Sequence, residues 1–318
     1  MLVAAFYGFA RFAEGELASL RQRLLAMGEE ANVLGTVLLA EEGINGTLCG
    51  PEAGVERILE ELRSDPRLAQ LAIRRSIAED PPFFRLKVRR KREIVTLGVD
   101  GLDPLQGVGT YVDPADWNPL IQDPGTLVVD TRNTYEVGLG SFAGAIHPNT
   151  RSFREFPRWV EEVLPGLVAD RQPERFALFC TGGIRCEKAT AYLQRKGFQG
   201  VHHLRGGILG YLEAIPEERS LWRGECFVFD HRAAVNHQLE PGSHELCHAC
   251  RMPLSQEDRA LPSYVPGVRC RHCEGRREPA DLARYAERQR QQRRAQASGE
   301  PHLGRHFPLP RGSSEPLT

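Results

Sequence analysis

The sequence predicts a three-part α/β protein. It comprises an N-terminal ferredoxin-like βαββαβ unit, a central parallel α/β domain and a C-terminal cysteine-rich module that binds zinc. Two observations carry this. Strand and helix periodicities follow one another in the order βαββαβ over residues 1–98, and strands alternate with helices over 120–217. Four of the eight cysteines then form two close pairs, Cys247/Cys250 and Cys270/Cys273, separated by residues 251–269.

In the N-terminal unit Val3–Phe9 reads as a strand, and Glu14–Met27 carries apolar residues at helical spacing. Val33–Ala40 is a second strand, and a turn at Glu42-Gly43-Ile44-Asn45 leads into a third at Gly46–Cys49. Pro51–Arg63 is a helix with proline near its start, and Ile73–Ser76 and Phe84–Lys87 are strands. Residues 99–119 are rich in Gly, Pro and Asp and are expected to be a linker. The central domain, residues 120–217, has strands at Leu127–Asp130, Phe176–Phe179 and Val201–Leu204. Its helices are Phe153–Val163, Glu187–Lys196 and Ile208–Ala214. Strands alternating with helices imply a parallel sheet covered on both faces. The cysteine-rich module occupies 225–285. The tail 286–318 lacks apolar periodicity and is expected to be disordered.

At 318 residues, with 41% apolar and 26% charged side chains, the chain has an ordinary globular composition. A net charge of −1 gives no overall field, so any nucleic-acid contact must come from a local basic patch. No apolar run is long enough to span a membrane. The N-terminal segment has neither a basic n-region nor a cleavage site, and reads as a strand. Six of the eight cysteines follow residue 180, and four sit in close pairs. That pattern fits a reducing cytoplasm better than a disulfide framework.

The stretch Cys180-Thr181-Gly182-Gly183-Ile184-Arg185-Cys186 lies between a strand and a helix. A helix N-terminus leaves backbone N–H groups without partners and carries a partial positive charge, which pushes a cysteine held ahead of it toward thiolate. Gly182 and Gly183 let those N–H groups converge on one anionic point, and Arg185 adds a permanent charge. The design suits a thiolate or a persulfide. Cysteine-dependent phosphatases need an arginine six positions after the nucleophile, and here that position is Cys186, so a phosphate-sized loop is excluded.

The two cysteine pairs can place four thiolates, from Cys247, Cys250, Cys270 and Cys273, on one tetrahedral metal. With no open position such a zinc is structural. The run Phe84–Arg92 holds six basic residues in nine, including Arg85, Lys87, Arg89, Arg90 and Lys91. Alternation up to Val88 puts Arg85, Lys87 and Arg89 on one strand face. The run is either a solvated face or a site for RNA phosphate. Arg276, Arg277, Arg284, Arg288 and Arg290 form a weaker candidate on a helix. Gly138–Ala143 formally matches a dinucleotide fingerprint, but it begins well past the strand end and reads as a loop.

Val128–Glu136, Phe142–Pro148, the Cys180 loop and Arg205-Gly206-Gly207 resemble a rhodanese domain, whose loop cysteine carries a persulfide. Beyond that, Glu41–Thr47, the string Cys180–Lys188 and Gly224–Asp230 resemble one group, the rhodanese-domain tRNA uridine(34) hydroxylases (the TrhO family). The resemblance covers residues 1–280. It implies oxygen-dependent conversion of the wobble uridine of certain tRNAs to 5-hydroxyuridine, with Cys180 catalytic and Thr181 to Cys186 as its loop. It further implies molecular oxygen as co-substrate with an unknown reductant, and tRNA (through its anticodon loop) as partner. Neither DNA nor a membrane is an expected partner. The resemblance also suggests that Glu41–Thr47 faces substrate; on the residues alone it could be a hairpin turn. The alternative reading is a sulfurtransferase in which Cys180 passes sulfane sulfur to a thiol or a tRNA-thiolating partner.

Overall fold

The computed structural model describes residues 1–298. The chain divides into two compact units, residues 1–246 and the chain from Cys247 onward. The first unit contains two large sheets and two two-stranded pairs. The second contains a small cysteine-centred core.

The N-terminal sheet is built from β1 (Leu2–Phe9), β2 (Leu34–Ala40), β3 (Gly43–Gly50), β4 (Ala72–Ile77) and β5 (Leu86–Arg90), in the order β4-β1-β3-β2-β5. Helices α1 (Glu14–Glu30) and α2 (Glu52–Arg63) cover one face. Strand alternation sends Leu2, Ala4, Phe6, Val37, Leu39, Ile44 and Leu48 into the core beneath them. The first four strands make the ferredoxin-like unit, and β5 adds a parallel edge beside β2. The expected turn at 42–45 is mostly strand. Gly43 is already paired with Phe9, so the hairpin turns at Glu41-Glu42 alone.

The central sheet is wholly parallel, in the order β6-β10-β9-β7. Its strands are β6 (Thr110–Val112), β7 (Thr126–Asp130), β9 (Arg175–Phe179) and β10 (Val201–Leu204). On one face lie α5 (Phe156–Glu162), α6 (Leu164–Arg171) and α7 (Ile184–Arg195), over Leu127, Val129, Phe176 and Leu178. On the other lie α3 (Pro114–Gln122) and α8 (Gly207–Ala214), over Val128, Ala177 and Phe179. Both faces are therefore apolar, as a parallel sheet requires. A short α4 (Thr134–Val137) and the pair β8 (Gly140–Phe142) and β11 (Trp222–Gly224) complete the unit.

Two sequence expectations are corrected. Residues 110–119 are not linker: Thr110–Val112 is the edge strand of the parallel sheet, and Pro114–Gln122 is a helix that buries Trp117 completely. A three-residue strand is too short for periodicity to show, and Pro114 and Pro119 read as breakers although the first sits where a helix tolerates proline. The tail expected to be disordered from 286 is helical as far as Ala297, in α9 (Pro279–Ala297). Good helix formers (Ala, Arg, Gln, Glu) and the pair Arg284–Asp281 suit a helix without an apolar stripe. The remainder of that expected tail, 299–318, lies outside the described residues. Among the described residues no helix is long and apolar enough to cross a membrane.

Candidate functional site

Cys180 immediately follows β9, and the alternation Phe176, Leu178, Cys180 turns its side chain to the face covered by α7. The chain reverses through Thr181-Gly182-Gly183 and starts α7 at Ile184. Gly183 has φ +105°, and a Cβ there would lie 2.8 Å from the Tyr7 hydroxyl, so both backbone and space demand glycine. Its N–H donates to the Cys180 sulfur at 3.1 Å. The loop is held from behind by the start of α8. There Ile208 N–H donates to Cys180 O at 2.9 Å and Leu209 N–H to Thr181 O at 3.1 Å. Gly207, at φ +62°, lets the two backbones approach: a Cβ there would lie 2.5 Å from Cys180 O.

Cys186, in the first turn of α7, points back at Cys180. Its N–H donates to Gly183 O at 2.9 Å, its thiol and N–H both act to hold the Cys180 thiol down, and Thr131 Oγ1 lies 3.7 Å from its own sulfur. Burial alone would push the Cys180 thiol up. The Cys186 thiol, the Arg185 charge and the N–H groups of Cys186 and Gly183 outweigh it and hold Cys180 below the ordinary thiol range. Cys186 moves the opposite way, pushed up by burial and by its hydrogen bond and charge interaction with Cys180. The two thiols are thus held unequal, Cys180 below the ordinary range and Cys186 above it.

Arg185 is committed. Its guanidinium makes a bidentate ion pair with Glu136, at 2.7 Å to each oxygen, and both side chains are buried. Thr181 joins them through Oγ1. A second buried pair lies behind it: Arg132 grips Asp130 through Nε and Nη2 and also donates to the carbonyls of Glu136 and Gly140. These pairs fix the loop, and removing one member would strand a buried charge. The charge that the sequence assigns to Arg185 therefore reaches Cys180 as half of a neutral pair.

A cleft of about 1120 Å³ runs over the loop, and its lining includes Cys180, Gly182, Ile184 and Arg185. Cys180 lies at its floor with none of its surface open to water. The facing wall is the helix-free side of the N-terminal sheet, including Tyr7, Thr36, Asn45 and Thr47. Tyr7 Oη donates to Glu187 Oε1 at 2.7 Å. Burial raises the Glu187 carboxyl, Tyr7 and Tyr111 act against that rise, and the Cys180 charge adds to it. Next to it Lys188, 2% exposed, binds Glu42 and Glu93, each at 2.7 Å. That knot ties the Glu41–Thr47 hairpin to the first turns of α7.

The sequence reading missed Tyr7, Tyr111, Glu187 and the Lys188 knot. Glu187 and Lys188 follow Cys186 directly along the chain, so a helix phase placing them beside the loop was the available signal. Tyr7 and Tyr111 arrive from remote strands.

The five basic residues do not share a face. Leu86 and Val88 enter the core under α1, so Lys87 and Arg89, with Arg85 before them, stand on the helix-free face. Lys87 pairs in register with Thr36, and Arg89 with Leu38, both on the cleft wall. Arg90 turns to the helical side and bonds Glu14. Lys91 follows the strand and is exposed.

In the second unit the sulfurs of Cys247, Cys250, Cys270 and Cys273 lie within 4.8 Å of one another. Cys250 and Cys270 are 3.6 Å apart, and Cys270 and Cys273 3.8 Å. A zinc with four thiolates at about 2.3 Å has tetrahedral edges of about 3.8 Å. The donor set and spacing fit a metal with no open position.

Residues 1–94 match the family described as UPF0176 acylphosphatase like domain, and residues 113–214 the Rhodanese-like domain family. A protein of Parasynechococcus marenigrum, named tRNA uridine(34) hydroxylase, is 57% identical over 92% of this chain and 92% of its own length. One of Agrobacterium fabrum with the same name is 53% identical over 96% and 95%. A solved rhodanese-related protein from Thermoplasma volcanium aligns with 34% of this chain and 95% of its own, at 24% identity and a TM-score of 0.27.

Proposed function

We propose a reaction for a chain that belongs to the tRNA uridine(34) hydroxylase family. It is an enzyme that hydroxylates the wobble uridine of tRNA, and the product is 5-hydroxyuridine, formed with molecular oxygen. The observation that carries the reading is the Cys180 thiolate on the floor of a cleft whose opposite wall is a helix-free sheet face edged by Lys87 and Arg89. A sulfurtransferase role is not favoured, because the relatives are named for hydroxylation.

Uridine C5 does not react with oxygen unaided. Addition of a nucleophile at C6 turns C5 and O4 into an enolate, which does. Cys180 supplies that nucleophile. The Gly183 N–H and the other loop donors steady the negative charge that moves between sulfur and base. Glu187, with its carboxyl raised and held by Tyr7 and Tyr111, is placed to take the C5 proton when the thiolate leaves. A wobble base in an anticodon loop is easily splayed, so it can enter the cleft at small cost. Arg85, Lys87 and Arg89 would take phosphates along the sheet edge. Cys247, Cys250, Cys270 and Cys273 would hold a structural zinc, which supplies folding energy to the second unit and no chemistry at Cys180.

The test is purified protein with unmodified tRNA under air, digested and read by mass spectrometry. One oxygen atom gained at uridine 34, derived from labelled dioxygen, is the expected result. A tRNA carrying 5-fluorouridine at that position should form a Cys180-dependent adduct stable on a denaturing gel. Hydroxylation of normal tRNA with no such adduct would exclude addition at C6.

A further inference from the structure

Replacing the C5 hydrogen of uridine by hydroxyl with dioxygen uses only one of the two oxygen atoms. The other leaves as water, which requires two electrons and two protons from a donor. The hydroxylation therefore poses a question that the family name does not answer: what is oxidised when the base is hydroxylated?

The first turn of α7 holds a second sulfur for which C6 addition has no use. Cys186 is completely buried, packs in the same core cluster as Cys180, and its thiol acts on the Cys180 sulfur to hold it down. The Thr131 hydroxyl lies 3.7 Å from its sulfur and donates its own proton to Phe179 O at 2.9 Å. Burial gives Cys186 no route to outside oxidants except through Cys180 and whatever occupies the cleft. An asymmetric pair of this kind, one thiol held below the ordinary range and its neighbour pushed above it, has the form of a reduced dithiol couple.

We propose that Cys180 and Cys186 together supply the two electrons of the hydroxylation and leave each turnover joined as a disulfide. The inference rests on the hydroxylase reading above. Its balance is uridine plus dioxygen plus two thiols, giving 5-hydroxyuridine, water and one disulfide. The Cys180 thiolate adds to C6, and the enolate takes up dioxygen and a proton at C5 to give a hydroperoxide. The Cys186 sulfur attacks the distal oxygen, the O–O bond breaks, and C5 keeps a hydroxyl while Cys186 becomes a sulfenic acid. Loss of the C5 proton expels the Cys180 thiolate from C6 and restores the ring double bond. That thiolate attacks the Cys186 sulfur, the S–S bond forms, and hydroxide leaves and takes the C5 proton as water. A small-molecule or protein thiol then reduces the disulfide for the next cycle.

The competing role for Cys186 is to position and ionise Cys180 by hydrogen bonding alone, and a serine would retain that donor. The experiment uses the full chain, reduced and then freed of small thiols, mixed with unmodified tRNA in aerated buffer. The wild type should give a burst of one hydroxylated uridine per chain and then stop. Peptide mapping should find an equal amount of Cys180–Cys186 disulfide, and added dithiothreitol should restart turnover. Cys186→Ser should lose the burst while iodoacetamide still alkylates its Cys180 quickly at neutral pH, which shows an intact loop. A burst of wild-type size from Cys186→Ser overturns the proposal, as does a wild-type burst without the disulfide. The wild-type count decides alone if the variant does not fold. Wild-type protein that makes no hydroxyuridine even with dithiothreitol removes the hydroxylase reading and this inference with it, whereas continuous turnover without disulfide removes only the inference.

Discussion

Cysteine occurs in two working arrangements in this chain, and the contrast between them separates chemistry from scaffolding. At Cys180 and Cys186 the two sulfurs are held unequal: loop N–H groups and one thiol converge on Cys180, while Cys186 is pushed the other way. At Cys247, Cys250, Cys270 and Cys273 four sulfurs surround one point at the spacing of a tetrahedron. A thiolate steadied by donors and fixed charge stays available to a substrate. Four sulfurs turned on one centre would be saturated by a metal and available to nothing else. Cys49 and Cys226 supply the background, since burial raises them to about 11 and about 12 and leaves them as packing.

The contrast breaks most sharply under substitution at its centre. Cys180→Ser is expected to lower hydroxylation by about a thousandfold or more while the metal content stays unchanged. Its pH dependence follows from the direction of the shift. Because Cys180 titrates below the ordinary thiol value, its thiolate persists as pH falls below about 8.5, while Cys49 and Cys226 are already protonated there. Alkylation at pH 7 followed by peptide mapping should therefore label Cys180 well ahead of those two. Equal labelling of all three would remove the distinction.

The quartet should answer in the opposite manner. Cys270→Ser is expected to reduce bound zinc below one per chain, as read by elemental analysis of freshly purified protein. It should also expose the segment beyond Cys247 to protease. Structural zinc contributes on the order of 10 kcal/mol to such modules, and the apolar core here is little more than Leu254, Ala249 and Tyr264 around the sulfurs. Fast alkylation of Cys180 should survive the substitution. A zinc-free, protease-resistant Cys270→Ser protein would show that the quartet does not hold this unit together.

The two arrangements were not equally legible in the sequence. Both cysteine sets lie in short local strings, and each string carries its own geometry: strand, glycines and helix in one, paired knuckles in the other. What surrounds Cys180 was hidden because it comes from far along the chain. Tyr7 crosses from β1, Tyr111 from a strand of three residues, and Glu136 neutralises Arg185 from another loop. A permanent positive charge beside the thiol was readable from Arg185, but its buried partner was not. The fold shows the same divide. Alternation exposed the long strands of the N-terminal sheet and apolar runs those of the central one, while Thr110–Val112 was too short to show a period and the polar helix Pro279–Ala297 had no apolar face to reveal it.

The smallest expected effect separates the two regions by grip rather than by chemistry. Arg85, Lys87 and Arg89 stand on the sheet face that walls the Cys180 cleft, whereas Arg90 on the opposite face is already paired with Glu14. Reversing the first three to Glu should weaken tRNA binding by about tenfold or more near physiological salt. It should also flatten the slope of log affinity against log salt by roughly 0.7–0.9 for each phosphate no longer neutralised. Arg90→Glu removes one surface ion pair, typically worth under about 1 kcal/mol, and should shift the binding curve far less. Arg284→Glu and Arg290→Glu, on the helix of the second unit, provide the matching test there. Should the helix reversals weaken tRNA binding more than the strand reversals, grip would belong to the zinc unit. The helix-free sheet face would then serve to position Tyr7 and Glu187 against the base rather than to hold the RNA backbone.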